Sequence, residues 1–170
     1  MNDVFVMTLK IVQLLEYNQF LRKKYFQTIA TLPWAEVVKN RDASFDSLRN
    51  IFLHCVAVFE YGNKLLRENN AQFPQIIYED YDDIEKIRRY QKRVEENFNT
   101  YLRDLTADEL NRQVTRRYRD GRTIVSTVED NLFHFLLEET HHRGEFIALL
   151  WQLDIKPPHL GWIQYLQLQA

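Results

Sequence analysis

The sequence predicts an all-α fold, a four-helix bundle with one small β-hairpin before its last long helix. Apolar residues recur every three or four positions in four long stretches, which is the spacing of one helix face. The 170 residues include only four glycines and four prolines, so few loops are expected. The pair Asp120-Gly121 stands between two β-prone stretches. Long amphipathic helices with short connections pack into a bundle, here a single domain over residues 1–170.

The first two helices are separated by a short proline-containing connection. We predict the first from about Val4 to Thr31, because apolar residues keep helical spacing over this range and Pro33 follows its end. The second is predicted from Phe45 to about Glu68, with Ser44 as its N-cap. Both helices carry enough apolar residues on one face to contribute to a common core.

The third helix is predicted from periodicity alone, whereas the last long helix also has a capping signal at its start. The third is predicted from about Tyr81 to Leu105, with a basic cluster that we interpret as a solvated face. The last long helix is predicted to follow Thr127 as N-cap, with Asp130 in the capping-box position, and to end near Leu153. A terminal segment from Leu160 to Leu168 is predicted to add one or two helical turns.

The hairpin is predicted between the third helix and the last long helix. The runs Gln113–Arg119 and Arg122–Ser126 flank Asp120-Gly121 and are β-prone. An Asp-Gly pair between such runs indicates a two-residue turn, because both central positions of that turn need positive φ.

Composition limits the classes of partner and compartment. The formal net charge is −2, so no global positive field favours nucleic acid or an anionic membrane. The single cysteine, Cys55, excludes an intramolecular disulfide and fits a reducing compartment. No apolar run approaches the roughly 20 residues of a membrane span, and no secretory signal is visible. We therefore expect a cytoplasmic protein without a nucleic-acid or membrane partner.

Three side chains form a candidate metal site. Glu138 and His142 lie four residues apart, and a step of about 100° per residue places both on the edge of one apolar helix face. The same construction places His54 at the core edge of the second helix, whereas His141 turns away from the core. Two imidazoles and one carboxylate match the three-ligand pattern of catalytic zinc, and they also suit Ni²⁺, Fe²⁺ or Mn²⁺.

The spacing alone leaves a second interpretation open. A glutamate and a histidine four residues apart can hydrogen-bond to each other without any metal. Two other metal-site templates fail, because a zincin helix needs histidine where Glu138 stands and a di-iron bundle needs Glu-x-x-His on two helices. The sequence also contains no G-x-S-x-G, Walker or G-x-G-x-x-G motif. No catalytic residue or organic cofactor site can be assigned from the residues.

Other polar residues near these positions have simpler interpretations. His134 lies four residues before Glu138 and could add a fourth ligand, but we favour a solvated position for it. Cys55 is interpreted as a buried, unreactive thiol. The basic residues of the hairpin could meet an anionic ligand, although we interpret them as solubilising. They are Arg116, Arg117, Arg119 and Arg122.

Two stretches of the chain resemble the DinB/YfiT-like family. The run Glu138–Pro158, EETHHRGEFIALLWQLDIKPP, resembles the final core helix of that family. The run Ser47–His54, SLRNIFLH, resembles the family's second-helix motif, in which a histidine is the first metal ligand. The hairpin before the last long helix also resembles the family's layout, so the resemblance extends over essentially the whole chain.

The resemblance implies an up-down-down-up order for the four helices and a divalent metal held by three side chains, normally all histidine. Carried over, the ligand positions are His54, Glu138 and His142. The chain departs from the pattern at Glu138, where the family usually has histidine. A carboxylate there lowers the net charge of the metal site by one and favours harder metals. The same change also fits a degraded site that no longer binds metal.

The function implied by the resemblance is that of a metal-dependent enzyme of the bacterial stress- or damage-inducible type. Such an enzyme would transfer a low-molecular-weight thiol to an electrophilic substrate, although isomerases and hydrolases also occur in the family. The alternative is a non-catalytic stress or interaction protein. Independently, the apolar terminal segment Trp162–Leu166 predicts a homodimer, because two-fold dimers are the commonest oligomers.

Overall fold

The computed structural model describes residues 3–69, 71–118 and 120–169, with side chains from Lys10 onward. Within these ranges the chain is mostly helical, with one antiparallel hairpin directly before the last long helix, as predicted. A single 3-10 turn covers Tyr78–Asp80. The helices and strands are α1 (Asp3–Ile29), α2 (Trp34–Val38), α3 (Leu48–Glu68), α4 (Ile84–Arg103), α5 (Ala107–Asn111), β1 (Gln113–Arg117), β2 (Thr123–Thr127), α6 (Val128–Gln152) and α7 (Trp162–Gln169).

The four long helices α1, α3, α4 and α6 correspond to those expected from the sequence. Helix α1 contacts both α4 and α6, and α3 contacts the same two helices, so the four share one core. Their up-down-down-up order stays a prediction. None of the helices in the described ranges is long and apolar enough to cross a membrane.

Helix α3 begins three residues later than the predicted start at Phe45. Ser47, not Ser44, is the N-cap, and its Oγ accepts a hydrogen bond from the Asn50 amide at 3.2 Å. Asp46 has a φ of 66°, which no helical residue adopts, so the helix cannot extend back to Phe45. Ser44 is instead bonded to a residue of α6, a contact that the local sequence does not reveal.

Helix α4 is also shorter than predicted. Asp83 is its N-cap and accepts from the Lys86 amide at 2.7 Å, so α4 begins at Ile84 rather than Tyr81. It ends at Arg103, two residues before the predicted end. The short helices α2 and α5 were not predicted, because five residues are too few to display a helical period.

Helix α6 begins as the sequence predicts. The Thr127 hydroxyl accepts from the Asp130 amide at 3.1 Å, while the Asp130 carboxylate accepts from the Thr127 amide at 2.9 Å. These reciprocal bonds form a capping box in which aspartate takes the place of glutamate. Because Thr127 is also the last residue of β2, the hairpin fixes where α6 starts.

The hairpin turn differs from the predicted two-residue turn. Tyr118 and Arg122 are joined by an amide-to-carbonyl bond of 2.8 Å, which leaves three residues between them. Gly121 has a φ of 86° and donates to the Tyr118 carbonyl at 3.0 Å, whereas Asp120 is not left-handed. This is the pattern of a three-residue hairpin loop whose last residue is a left-handed glycine. Arg119, which we included in the first strand, lies outside the described residues.

Gly62 allows α3 and α6 to approach each other closely. A Cβ added at Gly62 would lie 2.6 Å from Cε2 of Phe135, a ring that is fully buried. Any larger residue would therefore force the two helices apart. This close packing fixes α3 against α6, the two helices that carry His54 and His142.

Candidate metal centre

Two helices bring the predicted ligands together. His54 projects from α3 and His142 from α6, and their ring centroids are 4.6 Å apart. Glu138 lies one turn before His142 on α6. Each of the three residues offers one ligand atom, and these atoms lie within 4.8 Å of one another. The arrangement could therefore hold one metal ion after small side-chain movements.

Glu138 and His142 are not hydrogen-bonded to each other. Nε2 of His142 lies 3.9 Å from Oε2 of Glu138, which is too long for a hydrogen bond. The Glu138 side chain is 39% exposed and remains free to turn toward the two imidazoles. The structure therefore does not contain the Glu138–His142 hydrogen bond that the metal-free interpretation assumed. The Glu138 carboxylate and the His142 imidazole both keep lone pairs that could bind a metal.

The other ring nitrogen of His142 faces a second carboxylate. Nδ1 is buried without a hydrogen-bond partner among the described residues and lies 3.6 Å from Oε2 of Glu145. Glu145 is held by Ser44, whose amide and hydroxyl donate to its two oxygens at 2.6 and 2.5 Å. Burial acts to raise the pKa of Glu145, but the bonds from Ser44 and the adjacent His142 outweigh burial and lower it. Glu145 is therefore a charged neighbour that can orient the His142 ring.

His54 is half-buried between aromatic side chains. Its ring stacks on Phe45 with centroids 4.0 Å apart, and the Phe73 ring lies 5.6 Å away. Burial lowers the pKa of His54 to about 4, and the nearby His142 adds to that effect, while Glu145 opposes it. His54 is thus neutral at pH 7, which is the form in which histidine binds metal.

The family model for the DinB family matches residues 3–169. The chain belongs to the DinB family. Among solved structures it is similar to a DinB-like protein from Bacillus cereus ATCC 10987, with a TM-score of 0.60 and 17% identity over 87% of this chain and 95% of that one. At this identity the likeness establishes the fold alone. A comparison with curated proteins found no significant match.

Two further histidines of α6 in this DinB-family chain lie outside the three-residue cluster. His141 is exposed, as the helical wheel predicts. His134 is half-buried and 2.9 Å from Nη1 of Arg116, so the solvated position that we favoured for it is wrong. Burial lowers the pKa of His134, the charge of Arg116 lowers it further, and Glu138 opposes both. His134 is thus bound to the hairpin and is not part of the cluster.

Cys55 is buried, as expected for an unreactive thiol. Burial raises the pKa of its thiol, and the negative charge of Glu139 raises it further. A thiol in this state is a poor nucleophile at neutral pH, so Cys55 is not a candidate catalytic residue.

A buried polar network beside the centre was not anticipated from the sequence. Glu139, only 3% exposed, is bound by Arg22 through two nitrogens, with Nε at 2.8 Å from Oε1. Asn18 also donates to Glu139 at 2.5 Å and accepts from Arg143 at 2.5 Å. The sequence did contain one signal of this network. Asn18 and Arg22, four residues apart, are polar residues at positions of the apolar face of α1.

Proposed function

We propose that this DinB-family protein is a metal-dependent enzyme whose metal is held by His54, Glu138 and His142. The observation that carries the proposal is the convergence of three ligand atoms, from α3 and α6, to within 4.8 Å. The chemistry of the donors also fits, since Nε2 of His142 is not hydrogen-bonded to Glu138, while its buried Nδ1 faces Glu145, which can orient the ring. Three protein ligands leave coordination positions open, as in catalytic rather than structural sites.

The donor set suggests which metals to test. Two neutral imidazoles and one carboxylate suit Zn²⁺, Ni²⁺, Fe²⁺ or Mn²⁺. Compared with an all-histidine site, Glu138 adds one negative charge and therefore favours harder cations in this series. Glu145, beside Nδ1 of His142, would strengthen that ligand by accepting its proton in a hydrogen bond.

We propose that the reaction is the transfer of a low-molecular-weight thiol to an electrophilic substrate. When bound, the metal would lower the pKa of a thiol or water and so supply a nucleophile. The S–H bond breaks and its proton passes to solvent. The sulfur then forms a bond to the electrophilic atom, and the leaving group departs to solvent with the electron pair of its bond to that atom. Phe45 and Phe73 lie against His54 and form an apolar wall beside that ligand.

Metal analysis of the purified protein tests the proposal most directly. Protein prepared without chelator should contain about one metal ion per chain, or should take up one on titration with Zn²⁺, Ni²⁺ or Mn²⁺. Glu138→Ala and His142→Ala should each weaken metal binding at least tenfold, whereas His141→Ala, on the exposed side of the same helix, is the matched control. No stoichiometric metal in the wild-type protein under any of these conditions would refute the metal site.

The thiol reaction needs a separate assay. The metal-loaded protein, mixed with bacterial low-molecular-weight thiols and an electrophilic acceptor, should consume the thiol faster than His142→Ala does. If metal binds but no thiol is consumed, thiol transfer is wrong while the metal site stands. That result would leave a metal-dependent isomerase or hydrolase, whereas the absence of metal binding would favour the alternative, a stress or interaction protein with a degraded site.

A further inference from the structure

A large cleft lies beside the candidate metal centre. It has a volume of about 540 Å³, within the range of small-molecule sites of roughly 300–1,000 Å³. It runs between α3, β1 and the segment that follows α3. Its aromatic and charged lining residues are Tyr61, Phe73, Arg116, Arg117, Tyr118 and Asp120.

Arg116 is fixed in this cleft by uncharged groups. Its Nη2 donates to Oδ1 of Asn131 at 3.0 Å, its Nη1 lies 2.9 Å from Nε2 of His134, and its Cζ lies 5.5 Å from the centre of the Tyr61 ring. Because a guanidinium can only donate, Nε2 of His134 must accept, and that imidazole is therefore neutral. The three partners hold the guanidinium in place without neutralising it.

The charge of Arg116 has no carboxylate partner among the described residues. Two neighbouring arginines do have partners, since Arg112 pairs with Glu109 at 2.7 Å and Arg122 with Asp120 at 2.7 Å. A half-buried, oriented and unpaired guanidinium is an unusual feature, because buried charges are normally paired. Its remaining N–H groups are available to an anion that enters the cleft.

Aromatic residues connect the cleft to the centre. The Phe73 ring lies 5.5 Å from Tyr61, which stacks under Arg116, and 5.6 Å from His54. A ligand lying along Phe73 would therefore meet Arg116 at one end and the candidate metal ligands at the other. His134 makes a second connection, because it contacts Arg116 and lies one helical turn before Glu138.

We propose that this cleft binds an organic acid with an apolar body, that Arg116 binds its carboxylate, and that the cleft is the substrate subsite of the adjacent centre. The last part rests on the proposed metal-dependent function, whereas binding of the acid does not. A guanidinium fork matches a carboxylate geometrically, and the Tyr61 and Phe73 rings supply an apolar wall. A phosphate dianion is the competing ligand, because Arg117 also lines the cleft and Asp120 is already paired with Arg122. We favour the carboxylate because one guanidinium fork and two apolar rings match an acid with an apolar body.

Calorimetric titration with three small probes tests this proposal. Benzoate is the carboxylate probe, benzyl alcohol is its uncharged analogue, and phenyl phosphate is the competing dianion. Each is titrated into the full-length protein after chelator treatment and again after loading with Zn²⁺. The test variant is Arg116→Gln, and Arg116→Lys keeps the charge without the fork in case the first variant does not fold.

Arg67 offers a matched control on α3. Its guanidinium also lies over a tyrosine, 5.4 Å from the Tyr101 ring centre, and bonds an asparagine, with Nε 3.0 Å from Oδ1 of Asn63. Arg67 lines a different pocket, so Arg67→Gln removes the same kind of contacts outside the cleft. It should leave benzoate binding unchanged.

We expect benzoate to bind saturably with or without Zn²⁺, and more tightly than both other probes. Arg116→Gln should weaken benzoate at least tenfold, since a charge-assisted bidentate pair is lost, and Arg116→Lys should lie between it and the wild type. Zn²⁺ uptake by both variants should match the wild type. A protein that takes up no metal yet binds benzoate through Arg116 would refute the proposed function and leave the acid site standing.

Three results would overturn the acid site. The first is benzoate binding no tighter than benzyl alcohol, and the second is equal weakening by Arg67→Gln and Arg116→Gln. The third is phenyl phosphate binding more tightly than benzoate, which would assign the cleft to another class of anion. Each outcome is read from the dissociation constant and does not depend on enzymatic activity.

Discussion

At the scale of single residues, His142 lies between two carboxylates that approach different ring nitrogens. Oε2 of Glu138 lies 3.9 Å from Nε2, and Oε2 of Glu145 lies 3.6 Å from Nδ1. One side of the ring therefore faces His54 and the candidate metal position, while the other faces an acid that Ser44 holds in place. This division of roles is the second-sphere arrangement that orients histidine ligands in metal sites.

His134 should make stability depend on pH. Its pKa is lowered in the folded protein by burial and by Arg116, so the unfolded chain binds a proton more readily below the ordinary value of 6.5. The free energy of unfolding of the metal-free protein should therefore fall as pH drops below about 6.5. Urea denaturation at pH 7 and pH 5 measures this fall.

The variant His134→Gln isolates the effect, since glutamine can still accept a bond from Arg116 without titrating. It should lose less stability than the wild type between pH 7 and pH 5. His159→Gln changes an exposed histidine and should behave as the wild type does. An equal loss of stability in His134→Gln and the wild type would contradict the assignment.

At the scale of elements, α3 and α6, which carry the candidate ligands, each contain a glycine. One glycine is required for packing and the other is not. Gly144, in α6, has no atom within 4 Å of the position of an added Cβ. Gly62, in α3, has Phe135 at 2.6 Å from that position. Gly144 therefore costs helix stability without a packing reason, whereas Gly62 is required for the contact between α3 and α6.

The pair Gly144→Ala and Gly62→Ala tests this contrast. Gly144→Ala should raise the free energy of unfolding by about 0.5–1 kcal/mol, because alanine restricts the unfolded chain and favours the helix. Gly62→Ala should lower it by about 1–3 kcal/mol through overpacking against Phe135. Urea denaturation of both variants measures the two signs, and destabilisation by Gly144→Ala would show an unrecognised contact.

Local signals predicted some elements well and others poorly. The start of α6 was predicted because both members of its capping box, Thr127 and Asp130, lie within four residues. The start of α3 was misplaced because Ser44 and Ser47 look alike locally. The left-handed Asp46 and the contact of Ser44 with Glu145, 101 residues away, distinguish them. Apolar periodicity predicts that a helix is present. It does not predict its N-cap when a candidate cap residue is bonded to a residue far away in the sequence.

Some residues of the candidate site could also be predicted from the sequence, and others could not. Glu138 and His142 were placed by their spacing on α6, and His54 was added by its core-edge position and by the family resemblance. Glu139 was missed because nothing near it in sequence indicates that Arg22, 117 residues away, will pair with it. A buried charge can be recognised from sequence only when its partner is identified as well.

At the scale of the whole molecule, the Arg22–Glu139 pair joins α1 to α6. Both side chains are almost fully buried, at 2% and 3% exposure, and Glu95 of α4 adds a second carboxylate 3.5 Å from Arg22. One arginine thus links three of the four long helices. Helices that are linked in this way should lose stability together when one partner is removed.

Glu139→Ala should lower the free energy of unfolding by about 3 kcal/mol, because Arg22 would keep only Glu95 as its buried partner. The double variant Arg22→Met with Glu139→Leu should recover much of that loss, since apolar side chains can replace a buried ion pair. Glu96→Ala, on the exposed face of α4, is the control. Urea denaturation of the set measures the effect, and a single variant as stable as wild type would contradict it.

The homodimer stays a prediction. Trp162 and Tyr165 of the terminal helix pack against Tyr17 of α1, so these two residues are used within the chain. Ile163 and Leu168 of the same helix are 66% and 65% exposed and remain available for a second copy. Light scattering at micromolar concentration should give twice the chain mass of 20.6 kDa, and Ile163→Glu should give the single mass.

The connection between α2 and α3 provides no metal ligand, yet it contacts both sides of the centre. Its Phe45 stacks on His54, and its Ser44 holds the glutamate beside His142. If the three residues bind metal as proposed, we expect two DinB-family proteins with the same three candidate ligands to differ in metal affinity when this connection differs. Comparing ligands alone would group such proteins together, so relatives should be sorted by this connection as well as by their metal-binding residues.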